Sequence, residues 1–176
     1  MKNKFVIDVF NEQRFFENKI RLLDLIPVED HKKYFCAKVN NRIRELTYEV
    51  YDDAKVEFLS IENEEAMYIY ENTLRYLITM ALYEINPNLN LKLSYYESRS
   101  IYCILLNDHI EINDKFIQSI NDKMTEIVKA DYPLVRKIVP IEEAKKIYTE
   151  FNMQDKIDLL KYRPEKTVHF YVCNNY

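Results

Sequence analysis

The first sixty residues alternate between apolar and polar positions in short runs, which is the pattern of β-strands that bury one face. The apolar residues from Ile20 to Ile26 are spaced for one short helix instead, which Pro27 ends. The order strand, strand, helix and further strands predicts a β-grasp fold. The predicted strands are Phe5–Val9, Arg14–Phe16, Tyr34–Val39, Leu46–Tyr48 and Val56–Leu59.

Polar pairs between these strands predict tight turns, at Asn11-Glu12, Asn40-Asn41 and Asp52-Asp53. Asparagine tolerates left-handed backbone, which matters here because the chain contains no glycine. The lack of glycine also excludes three loops from this chain, since each of them depends on glycine's backbone freedom. They are the P-loop, the GxGxxG dinucleotide-binding turn and the GxSxG nucleophile elbow.

From residue 62 onward, apolar residues recur every three or four positions, which predicts helices with alternating strands between them. Asn63 caps the first helix, Glu64 and Glu65 suit the dipole of its first turn, and the helix ends before Pro87. The other predicted elements are strands at 89–93, Ile101–Leu106, Val135–Val139 and Thr167–Val172, a turn at Ser98-Arg99, helices opened by Asn113 and Pro140, and a short helix at about 154–161.

The pattern therefore predicts an α+β chain of two domains, 1–61 and 62–176. The first segment carries 11 Lys plus Arg and 11 Asp plus Glu, and the second carries 14 and 18, so the second holds the whole net charge of −4. This balance argues against a generally basic nucleic-acid-binding protein.

Cysteine usage and hydropathy indicate a cellular compartment. Cys36, Cys103 and Cys173 are odd in number and widely spaced, which fits neither a disulfide framework nor a CxxC metal site. The first ten residues lack an apolar signal core, and the longest apolar runs, such as Tyr76–Tyr83, are far shorter than a membrane span. We expect a reduced, cytoplasmic protein with no membrane partner.

Histidine and cysteine form no local catalytic or metal-binding pattern, because paired spacings such as HxxxH are missing. Cys36 and Cys103 lie in apolar strands and are expected to be buried. Cys173 has no basic partner nearby in sequence, so a reactive role has little support. His31 and His109 are expected in surface loops, and His169 is expected in a strand.

Fifteen tyrosines and nine phenylalanines are conspicuous in a chain of 176 residues. Exposed aromatic rings can stack on nucleic-acid bases, whereas buried ones fill a core. Few basic residues are interleaved with these rings, which favours the core. The prominent examples are Tyr68, Tyr70, Tyr95, Tyr96 and Tyr102.

One polar cluster, Lys161 to Thr167, follows the apolar pair Leu159-Leu160 and contains Arg163 and Pro164. A basic corner fixed by proline can hold a phosphate or a carboxylate. The same residues also suit a helix C-terminus, where Lys and Arg are favoured. Both interpretations stay open from the sequence.

The segment Tyr34 to Ser60 resembles the TGS domain, a β-grasp module at the front of threonyl-tRNA synthetase. Residues 62–176 are similar to the domain that follows it there, which edits mischarged tRNA. Taken together, four phrases resemble the N-terminal half of bacterial uridine kinase-like proteins, in which such domains precede a P-loop nucleoside kinase. They are AKVNNRIREL, Glu64 to Pro87, SIYCILL and LLKYRPEKTVHFY, of which the last is the most specific.

The resemblance also implies where the chain departs from the editing enzymes. Their first long helix carries two histidines four residues apart, and alignment on Pro87 places Asn72 and Tyr76 there. Asparagine is a poor substitute for imidazole, and tyrosine does not titrate near neutrality. A later Cys and His would fall beyond Tyr176, so the second domain is expected to be incomplete at its C-terminus.

We therefore expect a non-catalytic binding or regulatory module, with no catalytic and no metal-binding residues. Candidate ligand contacts are Asn72, Tyr76, Lys161 and Arg163. The resemblance implies that ATP and magnesium serve only a kinase domain outside this chain, and that this kinase domain is its partner. RNA or a small ligand is a further expected partner. The alternatives are a degenerate aminoacyl-tRNA deacylase and a stand-alone RNA- or protein-interaction module.

Overall fold

A computed structural model describes residues 4–97, 100–107 and 110–174. The chain divides into two compact units, Met1–Ile78 and Thr79–Tyr176. This division falls inside the long helix α1 (Glu64–Ile85), at whose start the sequence places the domain boundary. The predicted α+β class is confirmed.

A mixed five-stranded sheet forms the first unit, in the order β2-β1-β7-β4-β5. Strand β1 runs parallel to β7, and the other pairs are antiparallel. A second, two-stranded sheet pairs β3 with β6. The strands are β1 (Phe5–Val9), β2 (Glu12–Phe16), β3 (Ile20–Arg21), β4 (Tyr34–Val39), β5 (Arg42–Arg44), β6 (Glu49–Val50) and β7 (Ala54–Ser60).

Because apolar and polar residues alternate in β1 and β7, most of their apolar side chains lie on one face of the sheet, and this face forms the core of the unit. Ile7, Val9 and Leu22 are almost completely buried, and Val56 packs with them. Burial of such aliphatic side chains stabilises the fold by roughly 1.5–3 kcal/mol each. The period-two pattern in the sequence therefore reports the buried face correctly.

Asparagine takes the left-handed backbone positions that glycine usually occupies. Asn40 and Asn41, with φ of 48° and 64°, form the turn from β4 to β5 as predicted. The first hairpin turn lies at Phe10-Asn11, one residue earlier than predicted, because β2 already begins at Glu12. The Asn40 side chain strengthens its turn by accepting a hydrogen bond from the Lys55 backbone N–H at 2.8 Å.

Two predictions in this unit are wrong. Leu46–Tyr48 is a turn and not a strand, closed by a hydrogen bond from Tyr48 N–H to the Glu45 carbonyl. The segment predicted as one helix from Ile20 forms β3 and then a 3-10 helix, Leu22–Leu25. The two segments satisfy each other's backbone hydrogen-bonding groups. The N–H groups of Leu22 and Leu23 donate to the carbonyls of Tyr48 and Leu46.

Helix α2 and two antiparallel strand pairs dominate the second unit. Asn113 caps α2 as predicted, accepting a hydrogen bond from the Phe116 N–H at 3.1 Å. Pro140 stands one residue before its helix, at the cap. The predicted turn Ser98-Arg99 lies outside the described residues. The elements are β8 (Leu91–Glu97) paired with β9 (Ser100–Leu105), α2 (Asp114–Ala130), β10 (Leu134–Pro140) paired with β11 (Thr167–Cys173), α3 (Ile141–Glu150) and α4 (Gln154–Leu160).

Helices α3 and α4 pack against the β10–β11 pair around a small apolar core. Val139, Ala144, Leu160 and Val168 are buried there. Tyr148 and two other half-buried hydrophobic side chains pack around this cluster. This core fixes the position of the polar corner that follows α4. Each helix of the described residues is too short or too polar to span a lipid bilayer.

Candidate functional site

The polar corner predicted around Arg163 connects α4 to β11. The chain continues past the helix in a tight turn, in which the N–H groups of Tyr162 and Arg163 donate to the carbonyls of Leu159 and Leu160. Pro164 has no N–H to donate, so the helical pattern ends there. The corner is therefore a helix C-terminus, as the structural interpretation of the sequence requires.

The corner also borders a shallow concavity of about 230 Å³, which we call the Arg163 concavity. Buried Leu160 and Val168 belong to the apolar core beneath it. Helices α3 and α4, the corner and β11 all contribute to its wall. The lining residues are Tyr148, Lys156, Leu159, Leu160, Tyr162, Arg163 and Val168.

The lining of the Arg163 concavity has two cations and two phenols but no carboxylate. Each of its cations forms an ion pair with a neighbouring acidic side chain. Lys156 Nζ is 3.7 Å from a carboxylate oxygen of Asp155, and Arg163 Nε is 3.4 Å from one of Glu165. Ion pairs this long and this exposed are weak, so both cations can turn toward a ligand.

Tyr148 is the half-buried phenol of this site, and its ring lies 5.3 Å from that of Phe170. Burial raises the pKa of the Tyr148 hydroxyl; the charge of Arg163 opposes that rise in part, and the charge of Asp155 adds to it. The hydroxyl is therefore neutral near pH 7 and can donate a hydrogen bond. Together with Lys156 and Arg163, it gives the concavity three donors suited to an anion.

The structure separates the two basic residues predicted for this corner. Arg163 lines the concavity, whereas Lys161 does not. The Lys161 ammonium donates to Asp158 at 2.7 Å, and this hydrogen bond lowers the pKa of the Asp158 carboxyl. Sequence reasoning missed Lys156 and Tyr148, and it included Tyr162 in the polar cluster without naming it as a ligand contact. The i, i+4 spacing of Lys156 and Leu160 on α4 was the available signal for Lys156.

Asn72 and Tyr76 are half-buried on α1, one helical turn apart. Neither lines the larger concavity of the first unit, of about 550 Å³. That concavity is acidic and apolar, with Ile43 from β5 and the rest from the start of α1. Its lining residues are Ile43, Glu64, Glu65, Met67, Tyr68, Ile69 and Glu71. The predicted role of Asn72 and Tyr76 in binding stays a prediction.

The cysteines differ from expectation at one position. Cys36 is buried as predicted, and burial raises the pKa of its thiol. Cys103 is exposed, so its predicted burial is wrong. It lies in a two-stranded sheet, where an apolar sequence does not guarantee a covered face. Cys173 is buried and burial raises its thiol pKa, which does not favour reactivity.

The histidines show no convergence in the part of the chain that the structure describes. His31 follows a 3-10 turn, with Nε2 3.1 Å from the Ile26 carbonyl oxygen, and His169 lies on β11. His109 lies outside the described residues. No group of three His, Cys, Asp or Glu that could hold a metal ion occurs among residues 4–97, 100–107 and 110–174.

The prediction that the conspicuous tyrosines are core residues is wrong. All five are exposed, by between 36% and 61%. Tyr95 and Tyr102 stack on each other across β8 and β9, with ring centroids 5.3 Å apart. A register shift between Leu93 and Tyr96 interrupts the β8–β9 ladder beside this pair. The five are Tyr68, Tyr70, Tyr95, Tyr96 and Tyr102.

The sequence of this chain is similar to those of threonine–tRNA ligases, although no protein-family model matches it. The enzyme of Clostridium kluyveri is 28% identical over 155 residues, which is 86% of this chain and 24% of the ligase. That of Syntrophomonas wolfei is 28% identical over 159 residues, 89% of this chain and 25% of the ligase. The enzyme of Acetivibrio thermocellus is 27% identical over 138 residues, which is 77% of this chain and 21% of the ligase.

The chain thus spans about a quarter of the length of the curated relatives it matches. The similarity covers most of both units and not one motif alone. It supports a threonyl-tRNA synthetase-like domain for this chain.

Proposed function

We propose that the chain is a binding module of the threonyl-tRNA synthetase type, which binds the aminoacylated end of a tRNA without hydrolysing it. The observation that carries this proposal is the 28% identity to a threonine–tRNA ligase over 86% of the chain. The names of the relatives refer to ligation of threonine to tRNA, and that activity belongs to the whole ligases. The module contributes binding only.

The absence of hydrolysis is proposed from two residues of α1. Cleavage of an aminoacyl ester needs a base or a metal-bound water near neutral pH. The resemblance to editing enzymes assigns imidazole to the positions of Asn72 and Tyr76. Neither an amide nor a phenol performs that role, whereas both can hydrogen-bond a bound ligand.

The basic contacts of the module come from the corner after α4. Arg163 lines the concavity described above, and Lys161, which is paired with Asp158, lies exposed at the same corner. The second segment carries more acidic than basic residues, so the phosphate contacts are few. We therefore expect weak binding with a shallow salt dependence, because each neutralised phosphate adds about 0.7–0.9 to the slope of log K against log salt.

The test is equilibrium binding of the whole chain to fluorescent tRNA(Thr) charged with serine. Serine lacks one methyl group of threonine, so it is the amino acid that a threonine site rejects least well. We expect saturable binding that Arg163→Ala weakens and Lys146→Ala, an exposed residue of α3, leaves unchanged. Failure of charged tRNA to bind at low salt would overturn the proposal.

A degenerate deacylase is the second candidate, because the relatives belong to an aminoacyl-tRNA enzyme class. The two candidates differ in the fate of the ester bond and agree on its binding. A deacylase shortens the lifetime of seryl-tRNA, and substitution of Asn72 or Tyr76 would restore that lifetime. A binding module leaves the ester intact or protects it from water.

The finer prediction of a uridine kinase-like parent also remains a proposal. The relatives reported above are ligases, and none of them is a kinase. A kinase parent would supply its own glycine-rich phosphate loop, ATP and magnesium, with its kinase domain as the partner of this chain. Sequencing of the gene on the 3′ side of the Tyr176 codon tests this: a GxxxxGK[ST] segment supports it, and a ligase domain contradicts it.

A further inference from the structure

We infer that the Arg163 concavity binds a nucleotide, with its phosphate held by Arg163 and Lys156 and its base resting on Tyr162. This inference deepens the proposed function and rests on it, because a terminal nucleotide is the part of a tRNA that a concavity of this size can hold. The shared chemistry is a phosphate ester that carries a flat ring.

The phosphate assignment comes from the donors in the lining. Arg163 offers a planar fork of N–H groups, Lys156 a mobile ammonium and Tyr148 a hydroxyl. Arg163 and Lys156 can bind separate oxygen atoms of one phosphate, either the phosphodiester of a terminal tRNA nucleotide or the phosphate of a free nucleotide. Asp155 and Glu165 flank the site beside these cations, at 3.7 and 3.4 Å, and stay outside the lining.

The assignment of a flat ring comes from the rim of the concavity. Tyr162 is 85% exposed and Leu159 is 62% exposed, directly beside the basic groups. Other tyrosines of the described residues are exposed as well, but Tyr162 combines the highest exposed fraction among them with a position beside two cations. Stacking of a base on such a ring contributes about 1–3 kcal/mol and depends little on which base is present.

Size limits the ligand further. A volume of about 230 Å³ is below the usual range of roughly 300–1,000 Å³ for sites that enclose a small molecule. A phosphate and its sugar fit inside, and the base then lies on the rim against Tyr162. The acidic concavity of the first unit offers the opposite chemistry, with three glutamates and no cation in its lining.

The experiment titrates the whole chain with adenosine 5′-monophosphate and follows backbone and side-chain NMR signals of Arg163, Lys156 and Tyr148. Adenosine and inorganic phosphate are titrated separately. We expect the nucleotide to bind at least about tenfold more tightly than either part, since each contributes a separate contact. Arg163→Ala weakens nucleotide binding by about tenfold or more, and Arg163→Lys by less.

Matched variants keep the result interpretable. Lys146→Ala removes an exposed cation of the neighbouring helix α3 and leaves nucleotide binding unchanged. Tyr162→Ala removes an exposed ring with little effect on folding, and lowers affinity for the nucleotide but not for phosphate. A six-residue oligoadenylate with a free 3′-hydroxyl distinguishes an RNA end from a free nucleotide: tighter binding than the mononucleotide indicates the RNA end, and equal binding a free nucleotide.

The inference is overturned if no signals of these residues shift, or if Arg163→Ala binds the nucleotide as wild type does. Such a result leaves the proposed function standing when seryl-tRNA still binds the chain. Conversely, loss of seryl-tRNA binding with nucleotide binding retained rejects the proposed function and keeps the site. The two failures are thus distinguishable.

Discussion

The Glu65 carboxylate on α1 lies 2.8 Å from the Lys38 ammonium on β4, and this ion pair joins the helix to the sheet within the first unit. The pair borders a small buried cluster in which Cys36, Leu59 and Ala66 pack together. The hydrogen bond from Lys38 lowers the pKa of the Glu65 carboxyl and raises the pKa of the Lys38 ammonium.

This ion pair makes a small contribution to stability that depends on pH. Because the folded pKa of Glu65 is depressed, its contribution is complete above the unfolded value of about 4.3 and is lost as pH falls through the folded pKa. Glu65→Gln therefore destabilises the protein slightly at pH 7 and not at all in strong acid. Urea unfolding at both pH values measures this.

Glu64→Gln is the matched control for that prediction, because Glu64 stands in the same first turn of α1 and has the same relation to the helix dipole. We expect Glu65→Gln to destabilise the protein more than Glu64→Gln does at pH 7. Equal losses in the two variants would mean that the dipole, and not Lys38, accounts for the effect.

The N-terminal cap of α2 contributes to the stability of the second unit, and this contribution can be measured. The Asn113 side chain accepts a hydrogen bond from the Phe116 N–H at 3.1 Å, and this satisfies one of the free donors of the first turn. Asn113→Ala should destabilise the protein by about 1 kcal/mol. Asn113→Asp, which keeps the acceptor, should retain most of the stability in thermal unfolding followed by circular dichroism, and a loss equal to that of alanine would contradict the capping role.

Leu22 tests the core of the first unit. It is 0% exposed and packs in the cluster that contains Ile7 and Val9. Leu22→Ala should cost about 2–5 kcal/mol, because it removes buried methyl groups and leaves a cavity. Val28→Ala, at a side chain that is 79% exposed, should change the free energy of unfolding by less than about 0.5 kcal/mol. Similar losses in both variants would show that Leu22 is not in a packed core.

The strands and helices with strong periodicity could be predicted from the sequence. Alternation in Phe5–Val9 and in Val56–Leu59 requires a sheet with one buried face, and the structure has both strands. The capping asparagine of α2 could also be predicted, because hydrogen bonding between residues close in sequence determines its position. These elements depend on neighbours close in sequence.

Features that depend on distant neighbours could not be predicted in this way. Leu46–Tyr48 has the composition of a strand, yet its carbonyls accept hydrogen bonds from a 3-10 segment more than twenty residues earlier. The exposure of Cys103 and Tyr102 depends on which surfaces meet the β8–β9 pair, and no periodicity contains that information. The spacing of Lys156 and Leu160 places both on one face of α4, but it does not show that this face meets Tyr148 and Arg163 at one concavity.

The most direct test of the proposed function measures the lifetime of seryl-tRNA(Thr) with the chain in excess over the tRNA. We expect the ester to decay no faster than in buffer while the tRNA is bound. Decay that is accelerated by the chain, and that Asn72→Ala or Tyr76→Phe abolishes, would contradict a binding role without hydrolysis and would show a working deacylase.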